Sequence, residues 1–324
     1  MKTRPIGRTG VEVTEVSFGC ASIGNLYRAV SDETAQDVLQ AAWDAGIRYF
    51  DTAPHYGRGL SEQRLGRFLR DRHGFVLSSK IGRVLSPAAA PIDEADGYVQ
   101  PAQNDVRYDY SGDGIEESLE GSLSRLGLRR LDIAYVHDLG TYTHGDANAG
   151  HLEAFLGSGY ERLVLLKETG RIGAFGLGVN ECEICLTVMD HGPLDAILLA
   201  GRLTLLDRVA EQQLVPRAMA DGTSLILGGV FNSGILATGP VPGATYDYAA
   251  APPEMVARVA RLQAEAEAAG ISLATAALHF ARRHPAATSV LLGTANARTL
   301  QRNLQALAQP VPDRVLSQIM MAQR

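Results

Sequence analysis

The sequence predicts an α/β protein built as a single (β/α)8 TIM barrel, and three observations lead there. Eight short β-rich runs alternate along the chain with longer amphipathic stretches of helical period. Several runs, such as LDIAYVH (131–137) and IGAFGLGV (172–179), are almost continuously apolar, as parallel strands covered on both faces must be. A chain of 324 residues suits one barrel of roughly 250 residues with insertions. An open doubly wound sheet is the rival, but the first strand-to-helix turn carries no G-x-G-x-x-G.

The elements follow in order. Residues 1–15 precede the first barrel strand and are expected to form a hairpin that plugs the barrel bottom. VSFGC (16–20) is the first strand. Ser31 and Asp32 offer N-cap oxygens and Gly46 a stop, which predicts a helix over 32–45. IRYFD (47–51) leads to a helix over 61–70, and FVLSSK (75–80) to a long loop and a helix near 112–126. LDIAYVH (131–137) is followed by a helix over about 151–169, IGAFGLGV (172–179) by one through 181–190, and LDAILLA (194–200) by one near 207–220. TSLILGG (223–229) precedes another long loop and two helices, about 253–269 and 272–283. TSVLLG (288–293) ends the strand set before a helix through 296–308. Long loops are therefore expected after strands 3, 4 and 7, within one domain spanning 1–324. Gly173, Gly176 and Gly178 have the wrong order for a phosphate loop and read as backbone packing.

Composition narrows the function classes. Hydrophobic residues at 46% and charged residues at 20% exclude a disordered or fibrous chain. A net charge of −6 offers no basic footprint for nucleic acid or a membrane surface. No apolar run approaches the roughly 18 residues of a spanning helix, and MKTRPIGRTG lacks the apolar core of a secretory signal. Three cysteines (Cys20, Cys182, Cys185) are too few for a disulfide framework and point to the cytoplasm. Cys182 and Cys185 form a lone C-x-x-C, a weak signal for zinc or redox chemistry, and no metal is expected.

Reactive side chains converge on one face. Barrel catalysis sits at strand C-termini, where Asp51 ends strand 2, Tyr56 follows five residues later, Lys80 ends strand 3 and His137 ends strand 4. Each alone has a bland reading: a loop cap, a pocket wall, a solvated lysine, a core histidine. Together they describe proton transfer to or from a carbonyl or carbinol. A tyrosine hydroxyl has a pKa near 10, and a neighbouring lysine cation favours its phenolate. Aspartate holds the lysine, and histidine orients the substrate oxygen. No covalent nucleophile is needed, so a hydride carrier, a nicotinamide, is implied.

YFDTAPHYG (49–57), SEQRLGRFL (61–69), SSKIG (78–82) and IAYVHD (133–138) together resemble the aldo-keto reductase superfamily over nearly the whole chain. The resemblance implies that Tyr56 is the general acid/base, that Asp51 and Lys80 support it, and that His137 polarises the substrate oxygen. It also implies an extended cofactor across the barrel mouth. Its contacts fall on Gly19, Cys20, Ala21 and Asp51, on Asn180 for the carboxamide, and on Gly229, Val230, Phe231 and Asn232 for the pyrophosphate loop. Gly293, Thr294 and Asn303 fall at the adenosine end. The family's phosphate-binding lysine and arginine fall on Gly293 and Thr299, so NAD is expected over NADP, with Arg298 and Arg302 able to temper that preference.

His55, Tyr56, Arg83 and His137 are the expected substrate contacts, with Tyr98, Tyr108 and Tyr110 on the loop beside them. Phe231 is a candidate to cover the nicotinamide, and Trp43 reads as packing or interface. His137, Asp138, His144 and His151 can be drawn as a metal cluster, but the loop has no ligand spacing. RTGVEVTEVSFGCASIGNLY, RYDYSGDGIEESLEGSLSRLGLRRLDI and GGVFNSGIL resemble the D-threo-aldose 1-dehydrogenase branch, which includes L-fucose and L-galactose dehydrogenases. That implies oxidation of a cyclic aldose (L-fucose, L-galactose or D-arabinose type) at C1 to the lactone. Pyridoxal 4-dehydrogenase is similar to the branch and implies the alternative, oxidation of pyridoxal to its lactone. A cofactor-binding regulatory subunit is the third reading. The sequence does not fix the oligomeric state.

Overall fold

The computed structural model describes residues 1–322. Eight parallel strands close a barrel: β1 (Val16–Gly19), β2 (Tyr49–Asp51), β3 (Val76–Ile81), β4 (Leu131–His137), β5 (Ile172–Val179), β6 (Ala196–Ala200), β7 (Ser224–Gly228) and β8 (Ala287–Gly293). Each strand pairs with its sequence neighbours, and β8 pairs with β1. The register aligns the strand ends: Gly293 pairs with Gly19, Gly19 with Asp51, and His137 with Gly178. That alignment brings residues from distant parts of the chain to a common rim.

Two apolar clusters divide the structure. The larger joins the outer faces of the strands to the helices, as in Phe50, Leu77, Val136 and Leu177. The smaller fills the barrel interior with Tyr49, Ile133, Tyr135, Ala174 and Ile226, and it continues into Ile6, Val11 and Val13. These last three belong to an antiparallel hairpin, Thr3–Pro5 with Glu12–Thr14, which lies across the barrel bottom. The Gly7 N–H donates to Ser224 Oγ at 2.9 Å and fixes the hairpin beneath β7.

The glycines of β5 pack backbone against backbone. A Cβ at Gly176 would lie 1.6 Å from the Ala196 carbonyl oxygen, and one at Gly178 would lie 3.0 Å from Lys80 Cε. Gly178 thereby leaves room for the lysine side chain.

The three long loops have structure of their own. After β3, Arg83–Pro87 pairs with Asn104–Tyr108, and Glu94–Ala95 pairs with Tyr98–Val99. After β4 come the short helical turns Thr141–His144 and Gly145–Ala147. After β7, a hairpin of Thr245–Tyr246 with Ala249–Ala250 is clasped to the barrel by Arg202, which donates to both Asp247 carboxylate oxygens at 3.0 Å.

Two helices depart from the sequence expectation. The helix expected near 207–220 begins only at Leu214, after a 3-10 turn at Val209–Glu211. Thr204 Oγ1 accepts the N–H groups of Leu206 and Asp207, and Pro216 lacks the N–H that would bond back to Gln212. The stretch expected over 151–169 starts at Asn148 and widens into a π turn at Phe155–Gly159. There a Cβ at Gly159 would lie 2.3 Å from the Tyr110 carbonyl, so the wider turn seats the helix against that loop. Among the described residues no helix is long and apolar enough to cross a membrane.

Candidate active site

Asp51 ends β2 and is fully buried. Lys80, near the end of β3 and 1% exposed, donates from Nζ to Asp51 Oδ2 at 2.7 Å and to the Thr52 carbonyl at 3.1 Å. Its third hydrogen bond goes to the Tyr56 hydroxyl at 3.4 Å. Ser78 donates to the other Asp51 oxygen at 2.6 Å. With that proton committed, Ser78 accepts from Tyr49, which accepts in turn from Tyr135, at 3.1 Å in each case. A file of hydroxyls in the barrel interior thus orients the carboxylate from below.

Tyr56 sits in the tight turn that follows β2. Gly24 and Gly57 allow this turn: a Cβ at Gly24 would lie 2.7 Å from the Tyr56 carbonyl carbon, and Gly57 has φ +63. Because Lys80 donates to the phenol oxygen, the hydroxyl proton is free to address the cavity. Burial pushes the Tyr56 hydroxyl well above its ordinary range, and Asp51 and Asp138 push the same way. The net shift is upward, which corrects the expectation of a lowered value: Lys80 favours the phenolate, but its charge is matched by Asp51 at 2.7 Å, so burial dominates.

His137 ends β4 with its ring 6.0 Å from the Tyr56 ring and nearly perpendicular to it. Burial, reinforced by Arg83, Lys80 and His55, holds it well below the usual imidazole range, so it is neutral. Its Nδ1 is buried without a partner among the described residues, and Tyr110 donates to its carbonyl at 2.7 Å. His55 is pushed down to about 3 by burial and by Arg83, Arg58 and Lys80.

A cavity of about 440 Å³ opens over these groups. Tyr56, Lys80, His55 and His137 face Ala21, Gly178, Val179, Asn180, Leu198 and Ala200 across it. Tyr27, Tyr98, Tyr142, Asp96, Asp138 and Tyr248 also line it. A larger groove of about 800 Å³ lies beside the N-terminal ends of β3 and β4, but none of the four expected catalytic residues lines it.

The other expected contacts divide. Asn180 lines the cavity, and its side-chain amide has no hydrogen-bond partner among the described residues. Cys20 is fully buried beneath the rim. Arg83 does not line the cavity; its guanidinium is paired with Asp138 and lies behind it. Phe231 packs against the core, away from the cavity, and Val230 is buried. The Asn232 side chain accepts from Thr204 Oγ1 and donates to the Gly201 carbonyl at 3.0 Å, which shapes the loop containing Gly229. Thr294 accepts the Asn296 N–H at 3.1 Å. Gly293 and Gly19 pair at the β8–β1 seam. Asn303 lines a second cavity of about 400 Å³ with Thr299, Arg302 and Glu267.

Trp43 packs on Phe50 beneath Arg48. The His144 and His151 rings are tilted against each other by 53° with centroids 4.4 Å apart, and His144 meets the Tyr110 hydroxyl. Among the described residues no three His, Cys, Asp or Glu side chains are grouped to hold a metal ion.

The sequence did not single out Tyr248, Tyr142 or Asp138 as cavity residues. Tyr248 lies in an aperiodic loop where Asp247 and Tyr248 both have positive φ (51 and 61). Nothing in its sequence marks that geometry.

The profile of the Aldo/keto reductase family matches residues 15–323. This chain belongs to the aldo/keto reductase family. It is 40% identical over 321 residues to pyridoxal 4-dehydrogenase of Microbacterium luteolum, covering 96% of this chain and 94% of that protein. It is 35% identical to D-threo-aldose 1-dehydrogenase of a Pseudomonas species, covering 94% and 92%. In structure it resembles the holo form of an aldo-keto reductase from Bacillus halodurans, with a TM-score of 0.78 at 23% identity over 100% and 97% of the two chains.

Aldo-keto reductases are oxidoreductases that use nicotinamide cofactors, and this aldo-keto reductase has a mouth that fits one. Asn180 offers an amide without a partner among the described residues, and the small residues Ala21, Gly178 and Ala200 line the same cavity as Tyr56 and leave room for a flat ring.

Proposed function

We propose that this chain is a cytoplasmic, NAD-preferring aldose 1-dehydrogenase that oxidises the anomeric carbon of a cyclic aldose to the lactone. L-fucose, L-galactose and D-arabinose represent the sugar type. The observation that carries this reading is the Tyr56 hydroxyl, held by Lys80 on one side and open to the cavity beside neutral His137 on the other. Asp96 and Asp138 supply acceptors for sugar hydroxyls, and tyrosine rings supply faces for a pyranose.

In this reading Tyr56 gives up its hydroxyl proton to solvent, Lys80 stabilises the phenolate so formed, and that phenolate takes the proton of the anomeric hydroxyl and returns to the neutral phenol. Asp51, fixed by Ser78, keeps the ammonium in place. His137 orients the oxygen. The nicotinamide, when bound, supplies the hydride acceptor, and Asn180 is placed to hold its carboxamide. What supports the NAD preference lies around Thr299 and Asn303, in a cavity separate from the one over Tyr56. Gly293 and Thr299 bring no cation there, Arg302 is turned onto Thr299 Oγ1 at 3.1 Å, and Glu267 lines the same cavity.

A specific feature favours a second substrate, pyridoxal in its cyclic hemiacetal form. The cavity gathers His55, Tyr27, Tyr98, Tyr142 and Tyr248 around Tyr56, which suits an aromatic ring, and the 40% identical relative is a pyridoxal 4-dehydrogenase. Initial rates of NADH formation from NAD with L-fucose, run in parallel with pyridoxal, test the proposal. Turnover on fucose with lactone as product is the expected result. Turnover on pyridoxal alone replaces the sugar by the second reading, and turnover on neither overturns both.

A further inference from the structure

Asp138 lines the cavity but has no part in the proposed proton transfer. It follows His137 directly, and its backbone is left-handed with φ +51, a conformation that an aspartate keeps only when its surroundings fix it. They do so here: its N–H donates to the Gly178 carbonyl at 2.9 Å. Oδ2 is claimed by the Arg83 guanidinium and lies 3.4 Å from His137 Nε2. Oδ1 has no partner among the described residues, and the side chain is 18% exposed.

Arg83 is itself held in place. It follows Gly82, which has φ +95 and where a Cβ would meet the Tyr110 ring at 2.5 Å. Ser118 donates to its carbonyl at 3.0 Å, and its guanidinium lies over the Tyr108 ring. Burial pushes the Asp138 carboxyl up, and the Arg83 guanidinium paired with Oδ2 opposes that by favouring the carboxylate. As the carboxylate of this ion pair, the group can only accept hydrogen bonds.

We propose that Asp138 is a specificity-determining residue that accepts a hydrogen bond from the substrate hydroxyl on the ring carbon next to the one oxidised. This rests on the lactol oxidation proposed above. His137 orients the reacting oxygen, and Asp138 Oδ2 lies 3.4 Å from His137 Nε2, which puts Oδ1 of the same carboxylate next to the vicinal group: the 2-hydroxyl of an aldose. An acceptor-only partner selects a donor there and rejects a C–H or C–F group.

The test is calorimetric binding to NADH-saturated protein of L-fucose, its 2-deoxy analogue and its 2-deoxy-2-fluoro analogue. Wild type is expected to bind both analogues about 10- to 100-fold more weakly than the parent, the range of a hydrogen bond to a charged group. In Asp138→Asn, whose side chain tolerates left-handed backbone, the amide oxygen turns to Arg83 and the NH2 faces the cavity. The penalty on the fluoro analogue should then shrink to within about threefold. Asp138→Gly, which relieves the backbone strain, should lose discrimination against both analogues and serves if the asparagine variant does not fold. Equal binding of all three sugars by wild type, no binding of any, or an unchanged penalty in the variants overturns the proposal. Wild type that discriminates but forms no lactone supports this recognition and overturns the reaction. Lactone formation without discrimination does the reverse.

Discussion

Lys80 stands between Asp51 and Tyr56, with Nζ 2.7 Å from the carboxylate of one and 3.4 Å from the hydroxyl of the other. Asp51 and Lys80 are buried and Tyr56 is partly buried at the cavity wall, so the lysine charge is shared between a fixed anion and an oxygen that carries a proton in the resting state. Transient negative charge on Tyr56 then has a ready partner.

Removing the hydroxyl isolates that role. Tyr56→Phe should lower kcat by about 10² to 10⁴-fold, while the Kd for NADH, measured by fluorescence titration, stays within about threefold. A variant that keeps most of its turnover would rule out Tyr56 as the proton acceptor.

Breaking the ion pair beneath it should cost stability. Lys80→Met leaves Asp51 buried and uncompensated and should destabilise the fold by about 3–5 kcal/mol in urea unfolding. Lys80→Met combined with Asp51→Asn should recover most of that loss. A single variant that costs less than about 1 kcal/mol would mean that water reaches the pair.

The buried imidazoles predict loss of stability in acid. His55 titrates at about 3 in the folded chain against about 6.5 unfolded, so between these values the unfolded state binds the extra proton. Stability therefore falls as pH drops from about 6.5 toward 3, at up to about 1.4 kcal/mol per pH unit for this residue. His137 acts in the same direction. His55→Gln should flatten the dependence of unfolding free energy on pH between 6.5 and 4.5, and identical slopes would contradict the assignment.

Cofactor choice should be convertible at the rim of β8. Gly293→Lys with Thr299→Arg places cations at two positions that carry none and should move the ratio of kcat/KM for NADP over NAD up by at least about tenfold. An unchanged ratio would place the adenosine elsewhere.

Much of this was legible in the sequence because period and position carry it. The apolar runs fix the strands, and the strand ends carry Asp51, Lys80 and His137 to one rim. What escaped depends on loops. Position alone predicts a substrate contact at Arg83, which follows the β3 end closely, but its charge is directed to Asp138, a partner 55 residues away. Tyr248 reaches the cavity only through two left-handed residues and the Arg202–Asp247 clasp, none of which leaves a periodic trace. The late start of the helix at Leu214 turns on a threonine side chain and a proline that local propensity weighs too lightly.

The seam between β8 and β1 has a consequence for how the chain comes to fold. Gly293 pairs with Gly19, and the Arg4 guanidinium reaches the Ala287 carbonyl, a contact 283 residues long in sequence. During synthesis β1 therefore waits with an open edge until nearly the whole chain has left the ribosome, and β7 waits for the same final strand. Such long-range closure is slow, and exposed strand edges pair readily with other chains. Of all its segments, the last barrel strand is the one whose truncation should turn a recoverable protein into an aggregating one.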